Sequence, residues 1–312
     1  MPVVNNNSTR FSVVVPTFNS AKTLLLTLES LRSQFWSNLE VLIVDGLSSD
    51  NTVEIARSFC GLDLKIICEP DQGIYDAINK GVANATGDLI CVIGSDDRLA
   101  IGALQAVHDA WMVSKTDIVA GGALLESPEG VATLRVDEHY GVGALVSGIP
   151  FCHNSMFVTS GAYLSVGKYD LNYKICADAD WVHRSIRMGC TCARIDKPLV
   201  HFSLCGTSSV NDELIMAETY AVIASNFPGL SLDDAETLFK AVRRWTDDSQ
   251  VADVLGRNSD NLMLAQAVAT GLYSGATIEE AGGVRVSRLG NSLTVRVLRK
   301  IQRLFRLRSE NY

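Results

Sequence analysis

Apolar and polar positions alternate along the first hundred residues in a way that predicts strand and helix by turns. The β-branched run "FSVVVPTFN" (11–19) predicts a strand ending in a turn. "SAKTLLLTLESLRSQF" (20–35) has helical spacing, with Leu24, Leu28 and Leu31 on one face and Ser20 placed as an N-cap. "LEVLIVDG" (39–46), "LDLKIICE" (62–69) and "DLICVIG" (88–94) predict further strands. "SDNTVEIARSF" (49–59) and "GIYDAINKGVANA" (73–85) predict the helices between them, the latter with Ile74, Ala77, Ile78 and Val82 turned inward. Strands alternating with helices of this length imply βαβ units and a mostly parallel sheet.

The middle of the chain is less regular. "TDIVAGGALLE" (116–126) and "GVATLRV" (130–136) predict a hairpin about Ser127-Pro128, and "GIPFCHNSMFV" (148–158) a strand after a turn. "DADWVHRSIRMG" (178–189) predicts a helix closed by Gly189, and "CARIDKPLVHFSL" (192–204) mixes strand and turn. From 211 to about 280 the spacing is helical. Three regions follow: an α/β domain over 1–210, a helical extension over 211–282 and a basic tail over 283–312.

In an open sheet of βαβ units, ligands lie beyond the carboxyl ends of the strands. Those ends carry Thr17 and Asn19, Asp45, Asp71, and the pair Asp96-Asp97. Each has an ordinary explanation alone. Asp45 before Gly46 forms turns, Asp71 before Gly73 caps a helix, and Asp96-Asp97 cap a helix starting near Leu99. The pair has a second explanation, since a divalent cation with phosphate oxygens cancels the repulsion of adjacent carboxylates. Oxygen ligands on a turn suit Mg²⁺ or Mn²⁺ rather than zinc. What favours a site is convergence, because unrelated turn residues have no need to fall on successive strand ends.

Charge narrows the partners. The chain has 312 residues and a net charge of −8. Residues 285–308 hold eight Arg or Lys and no acidic residue, leaving 19 basic against 35 acidic residues elsewhere. Such a body repels nucleic acid, so a polynucleotide partner is not expected. The eight cysteines form no CxxC pair, which fits reduced thiols in a reducing compartment. Neither a signal peptide nor a membrane-spanning run is evident, so a cytoplasmic protein is expected.

The segments "VVVPTFNSAKTLLLTLESLRSQ", "VLIVDGLSSDNT", "PDQGIYDAINKGVANATGDLICVIGSDD" and "CADADW" resemble, in order and spacing, the motifs of family 2 glycosyltransferases with the GT-A fold. The "DQGIYDAINKG" segment is similar to a bacterial branch acting on surface polysaccharides and glycolipids. The resemblance covers about residues 11–210. It implies a Rossmann-like sheet flanked by helices, with Thr17, Asn19 and Asp45 lining the pocket for the nucleotide's base and ribose and Asp71 near the same pocket. It implies that Asp97 binds the metal, that Asp96 contacts the donor ribose or sugar, and that Asp178 is the catalytic base. Gly206 and Thr207 stand where a loop closes over the donor, while His153 and Asn154 are assigned to sugar or acceptor binding. His201 is left as structural. Three departures concern the donor: Gly46 replaces the second carboxylate of the family's "VDDGS", Ala77-Ile78-Asn79 lacks the arginine of "ARN", and Ala177 precedes the base.

Asp178 also suits a helix N-cap, and Asp180 can pair with Arg184 one turn on. One base with no second carboxylate at the anomeric carbon predicts a single displacement with inversion. The expected reaction is transfer from a nucleoside-diphosphate donor, UDP-sugars by default, to a lipid-linked saccharide or glycolipid. The alternative is a catalytically silent nucleotide-sugar-binding partner of a transferase complex. The apolar and basic spacing of 285–308 leaves two readings open, a helix packed on the body or one lying on the anionic inner face of the cell membrane. The helices of 211–282 are open between an acceptor site and a homodimer contact.

Overall fold

The computed structural model describes residues 9–135, 138–205, 211–245 and 250–274. By internal contacts the chain divides into two units, Met1–Asp137 with Phe151–Asp212, and Glu138–Pro150 with the chain from Glu213 onward. Gly206, Thr207 and the basic segment 285–308 lie outside the described residues.

The first unit is built on one sheet. Strands β1 (Phe11–Thr17), β2 (Leu39–Asp45), β3 (Asp63–Cys68) and β4 (Leu89–Val92) pair in parallel in the order β3-β2-β1-β4. The helices α1 (Leu24–Arg32), α2 (Thr52–Ser58) and α3 (Ile74–Asn84) connect them. β1, β2 and β4 are buried along their whole length, which is why they read as nearly unbroken apolar runs; β3, at the edge, alternates between exposed and half-buried. Pro16 sits inside β1 without breaking it. The β4 partnership ends at Val14 opposite Val92, so the N–H that proline lacks falls where no strand needs it. Leu24, Leu28 and Leu31 of α1 are all inaccessible and pack with Val13, Val15 and Ile43.

Beyond β4 the sheet is mixed, because connections there are hairpins and long returns rather than helical crossovers. β8 (Met156–Thr159) is antiparallel to β4 and to β6 (Ile118–Glu126). β9 (Cys192–Ser203) runs parallel to β6, and the two-residue β5 (Arg98–Leu99) closes that edge against β9. The expected hairpin is present as β6 with β7 (Ala132–Arg135). Helices α4 (Ala103–Ser114), α5 (Ser160–Val166) and α6 (Ala177–Arg187) complete the unit, and Gly189 follows α6 at φ 78°.

Several local expectations fail, and the strand expected over 148–158 is confined to Met156–Thr159 after a 3₁₀ turn at His153–Ser155. Ser20 does not cap α1 with its side chain; its carbonyl takes the N–H groups of Thr23 and Leu24, and its hydroxyl bonds Ser95. Ile74 is 49% exposed, and Tyr75 turns inward instead. No helix starts at Leu99: β5 intervenes and α4 begins after Gly102, held at φ 74°. Asp96 and Asp97 are therefore not its caps.

The opposite edge of the sheet is held by a buried charge. Glu40 on β2 is 1% exposed and accepts hydrogen bonds from Ser12 Oγ (2.5 Å), Thr86 N (2.6 Å), Thr86 Oγ1 (2.7 Å) and Lys65 Nζ (2.6 Å). Burial alone would raise its pKa, but Lys65, Ser12 and Thr86 together hold it down at about 2. One carboxylate thus ties β1, β2, β3 and the turn into β4 at the end remote from the strand exits.

The second unit is helical, as the spacing over 211–280 predicts. It contains α7 (Asp212–Ser225), α8 (Leu232–Val242), α9 (Val251–Arg257) and α10 (Leu262–Ser274), with a 3₁₀ turn at Val142–Val146 drawn from the middle of the chain. A Cβ on Gly143 would lie 2.9 Å from the Gly271 nitrogen, so only glycine lets that turn approach α10 so closely. Ser231 caps α8 by accepting from the Asp234 N–H. All eight cysteines are free thiols. Among the described residues no helix is long and apolar enough to cross a membrane.

Candidate active site

Thr17, Asn19, Asp45, Asp96 and Asp97 lie at the carboxyl ends of β1, β2 and β4. In-register pairing sets Thr17 beside Asp45, and Thr17 Oγ1 donates to Asp45 Oδ1 at 3.0 Å. Asp45 is inaccessible and also accepts from Ser48 N (2.8 Å), Ser48 Oγ (2.5 Å) and Cys68 Sγ (3.7 Å). Its charge is absorbed by the loop that follows it, so it builds the rim rather than facing outward. Asn19 adopts φ 51°, a left-handed conformation that Asn tolerates, and joins the two loops: its N–H donates to Ser48 Oγ and its Oδ1 accepts from Ser49 N. Phe18 and Leu47, on these two loops, stay 65% and 52% exposed. Phe18 is not among the residues expected from the sequence, although an aromatic residue directly after a strand's polar exit signals it.

Asp71 explains Gly46. A Cβ on Gly46 would stand 2.3 Å from Asp71 Oδ2, so the Asp71 carboxylate occupies the space a side chain at 46 would take. A carboxylate from the turn before α3 thus stands beside Gly46, where "VDDGS" carries its own. Asp71 Oδ1 accepts from the Gly73 N–H, which makes a local turn and not a helix cap. Asp71 Oδ2 takes no hydrogen bond from the described residues.

Asp96 and Asp97 leave β4 together. A Cβ on Gly94 would meet Asp97 Oδ2 at 2.5 Å and Asp96 Oδ1 at 3.0 Å, so both carboxylates close over the bare Cα of that glycine. Asp97 is 2% exposed. Its Oδ1 accepts from Ser203 N at 2.7 Å, its Oδ2 from the Asn154 amide, and its own carbonyl from Thr27 Oγ1 at 2.8 Å. Burial, and then the charge of Asp96, push its pKa up to about 7 against the pull of Ser203 and Asn154. Burial also raises that of Asp96. Ser20 Oγ bonds Ser95 Oγ at 2.7 Å, which links this turn to the exit of β1.

This donor set fits a hard divalent cation. Each carboxylate oxygen has a second lone pair beyond the one its protein donor uses, and two adjacent carboxylates on a turn leave positions for water and phosphate oxygens. Among the described residues there is no cluster of three or more His, Cys, Asp or Glu that would form an all-protein cage. The Asn154 amide, assigned from the sequence to sugar or acceptor binding, donates to Asp97 Oδ2.

Asp178 lies in the first turn of α6, but the residue preceding the helix is Cys176 and no side chain caps it. Asp178 Oδ1 accepts from Ala179 N at 2.8 Å and lies 3.3 Å from the Tyr75 hydroxyl, which also donates to the Ile175 carbonyl. Asp180 pairs with Arg184 at 2.8 Å, as its spacing predicts. His153 Nε2 bonds the Tyr169 hydroxyl at 2.8 Å; burial lowers its pKa while the charge of Asp178 opposes that. Asn154 therefore reaches Asp97, while His153 bonds Tyr169 and its ring senses the charge of Asp178. Asn79, where the family's "ARN" ends, clamps the Tyr169 backbone at N–H and C=O, both at 2.9 Å. His201 bonds Glu126 at 2.7 Å.

The Glycosyl transferase family 2 profile matches residues 12–187. A "PGL/p-HBAD biosynthesis glycosyltransferase" of Mycobacterium tuberculosis is 32% identical over 181 residues, which are 55% of this chain and 67% of that one. The "Amylovoran biosynthesis glycosyltransferase AmsB" of Erwinia amylovora is 27% identical over 213 residues, 62% of this chain and 69% of that one. The structure of S. aureus TarS 1–349 is similar over 84% of this chain and 81% of that chain, with a TM-score of 0.59 at 17% identity. The same TarS fragment in complex with UDP is similar over 96% and 91%, at 0.59 and 16%. The fold is thus GT-A, and the chain belongs to glycosyl transferase family 2.

Proposed function

We propose that the chain is an inverting, metal-dependent hexosyltransferase. It moves a sugar from a UDP-sugar to a hydroxyl of a lipid-linked saccharide or glycolipid in surface polysaccharide or glycolipid biosynthesis. The observation that carries this reading is the pair of carboxylates closed over Gly94, with Asp97 pinned by Ser203 and Asn154. The relatives named for glycolipid and amylovoran synthesis support the acceptor class, and the UDP and UDP-GlcNAc complexes of TarS support the donor class.

In this reading Asp97 holds Mg²⁺ or Mn²⁺ and Asp96 contacts the donor ribose or sugar. The bound cation supplies Lewis-acid neutralisation of the departing diphosphate. Phe18, Asn19 and Asp71 face the base and ribose, on a rim kept rigid by Thr17 and Asp45. His153 helps seat the sugar or acceptor. Gly206 and Thr207, expected at the donor from the sequence, lie outside the described residues. Asp178 takes the acceptor proton as the new bond to the anomeric carbon forms and the bond to the β-phosphate oxygen breaks. With one carboxylate as base and the diphosphate leaving opposite, the anomeric configuration inverts.

The test is a thermal-shift panel of nucleoside diphosphates with and without Mg²⁺ or Mn²⁺. UDP with metal should raise Tm by several degrees, since a ligand at 100 times its Kd adds about 2.7 kcal/mol. UDP alone should raise it far less. No metal-dependent shift with any diphosphate sinks the proposal. A shift without turnover of any UDP-sugar points to the silent partner instead. Surface association through the basic segment 285–308 belongs to the same proposal and rests on sequence. Pelleting with anionic vesicles should be lost on deleting 285–312, and unchanged pelleting rejects it.

A further inference from the structure

We infer that Tyr75 is a positioning residue for this transfer: its hydroxyl fixes the Asp178 carboxylate so that Oδ2 stays open to the acceptor. The inference rests on Asp178 being the base. Asp178 Oδ1 has two donors, Ala179 N at 2.8 Å and the Tyr75 hydroxyl at 3.3 Å, whereas Oδ2 takes no hydrogen bond from the described residues. The terminal torsion of an aspartate is broad, and one local bond to the following amide does not decide which oxygen faces outward. A second donor from another element does. Tyr75 comes from α3, about a hundred residues earlier in the chain, so its bond ties the base to the sheet-side scaffold.

Tyr75 is rigid enough for that task. It is 8% exposed, and its ring stacks on Tyr169 with centroids 5.8 Å apart and planes at 20°. Tyr169 stacks in turn on Trp181, on the same helix as Asp178, at 6.0 Å and 28°. The Tyr169 backbone is clamped by Asn79, and its hydroxyl is held by His153 and Tyr163. The Tyr75 hydroxyl shares its proton between the Ile175 carbonyl and Asp178 Oδ1, which fixes the chain entering α6 as well as the carboxylate. Burial, with the Asp178 charge next, drives the phenol pKa well above its ordinary value, so the donor keeps its proton. The longer contact to Oδ1 is of the kind that tightens once substrate is bound. A core tyrosine serving packing alone would need the Ile175 carbonyl and nothing more.

The test is steady-state kinetics on Tyr75→Phe, Asp178→Asn, Asp178→Glu and Tyr75→Phe/Asp178→Glu. Phenylalanine keeps the ring and its stack, so nucleotide affinity should hold, and Tm should fall by only a few degrees for the bond lost to the Ile175 carbonyl. Tyr75→Phe should lower kcat about 10- to 100-fold with the donor KM within about twofold, as a misplaced base does. Asp178→Glu carries its carboxylate past the reach of Tyr75, so adding Tyr75→Phe to it should cost nothing further. Tyr75→Phe at wild-type kcat with Asp178→Asn inactive overturns the inference and leaves the base in place. An equal loss from Tyr75→Phe in the wild-type and Asp178→Glu backgrounds also overturns it. Full activity in Asp178→Asn removes the base assignment, and this inference with it.

Discussion

Asp178→Asn should slow sugar transfer by about a thousandfold or more while nucleoside-diphosphate affinity stays within about threefold. General-base catalysis contributes about 10²–10⁴. The asparagine keeps the size of the side chain and, through Oδ1, the acceptor for Ala179 N and the Tyr75 hydroxyl. What it removes is the ability to take a proton at the second position. The competing account treats Asp178 as a first-turn carboxylate that favours the N-terminus of α6. That interaction is worth about 0.3–1 kcal/mol, and its loss moves Tm by a few degrees without touching kcat specifically. The two accounts therefore separate on kinetics against melting. An intact rate with a lowered Tm rejects the base. Loss of nucleotide binding in step with activity shows that Asp178 holds up the donor site and does no chemistry.

The parts of the fold written in local periodicity were legible. Leu24, Leu28 and Leu31 fall on one face because a nine-residue helix needs only that spacing, and the runs in β1, β2 and β4 report strands buried on both sides. The strand exits followed from topology, which put Thr17 opposite Asp45 once both strands were placed. What stayed hidden depends on residues far apart in the chain. Gly46 looked like a missing carboxylate until Asp71 was found in its space. Asn79 looked like a missing arginine contact until it was seen clamping Tyr169. The resemblance assigns Asn154 to sugar or acceptor binding, and only the fold shows that its amide also bonds Asp97, fifty-seven positions upstream. Glu40 reads as one charge in an apolar strand, and only the fold brings Ser12, Lys65 and Thr86 to it. Tyr75 lies next to Ile74 in a pattern that suits either residue inside; the aromatic stack against Tyr169 decides for the tyrosine.

Asp97→Asn should abolish the stabilisation by UDP that depends on Mn²⁺ while leaving the metal-free protein at least as stable as wild type at pH 8. The two effects have opposite signs because the carboxylate is costly to the fold and required by the ligand. Asp97 is 2% exposed, and its pKa is raised to about 7 by burial and by Asp96. A carboxyl raised from its ordinary value near 3.8 makes the folded state bind the proton more tightly than the unfolded one. Stability then falls as pH rises between those values, and by pH 8 the whole cost is present. Asparagine carries no charge, so that cost disappears. It keeps an acceptor for Ser203 N, and the Asn154 amide can turn its oxygen toward the new NH₂. A net gain of about 1–2 kcal/mol is expected after loss of the charge-assisted bonds. Transfer should fall about 10²–10³-fold, the scale of one lost electrostatic contact to a developing anion. The melting curves decide between the cation site and a purely structural carboxylate. If Asp97 only braces Ser203 and Asn154, the variant still responds to UDP with Mn²⁺. If it holds the cation, the variant melts at least as high without ligand and the response is gone.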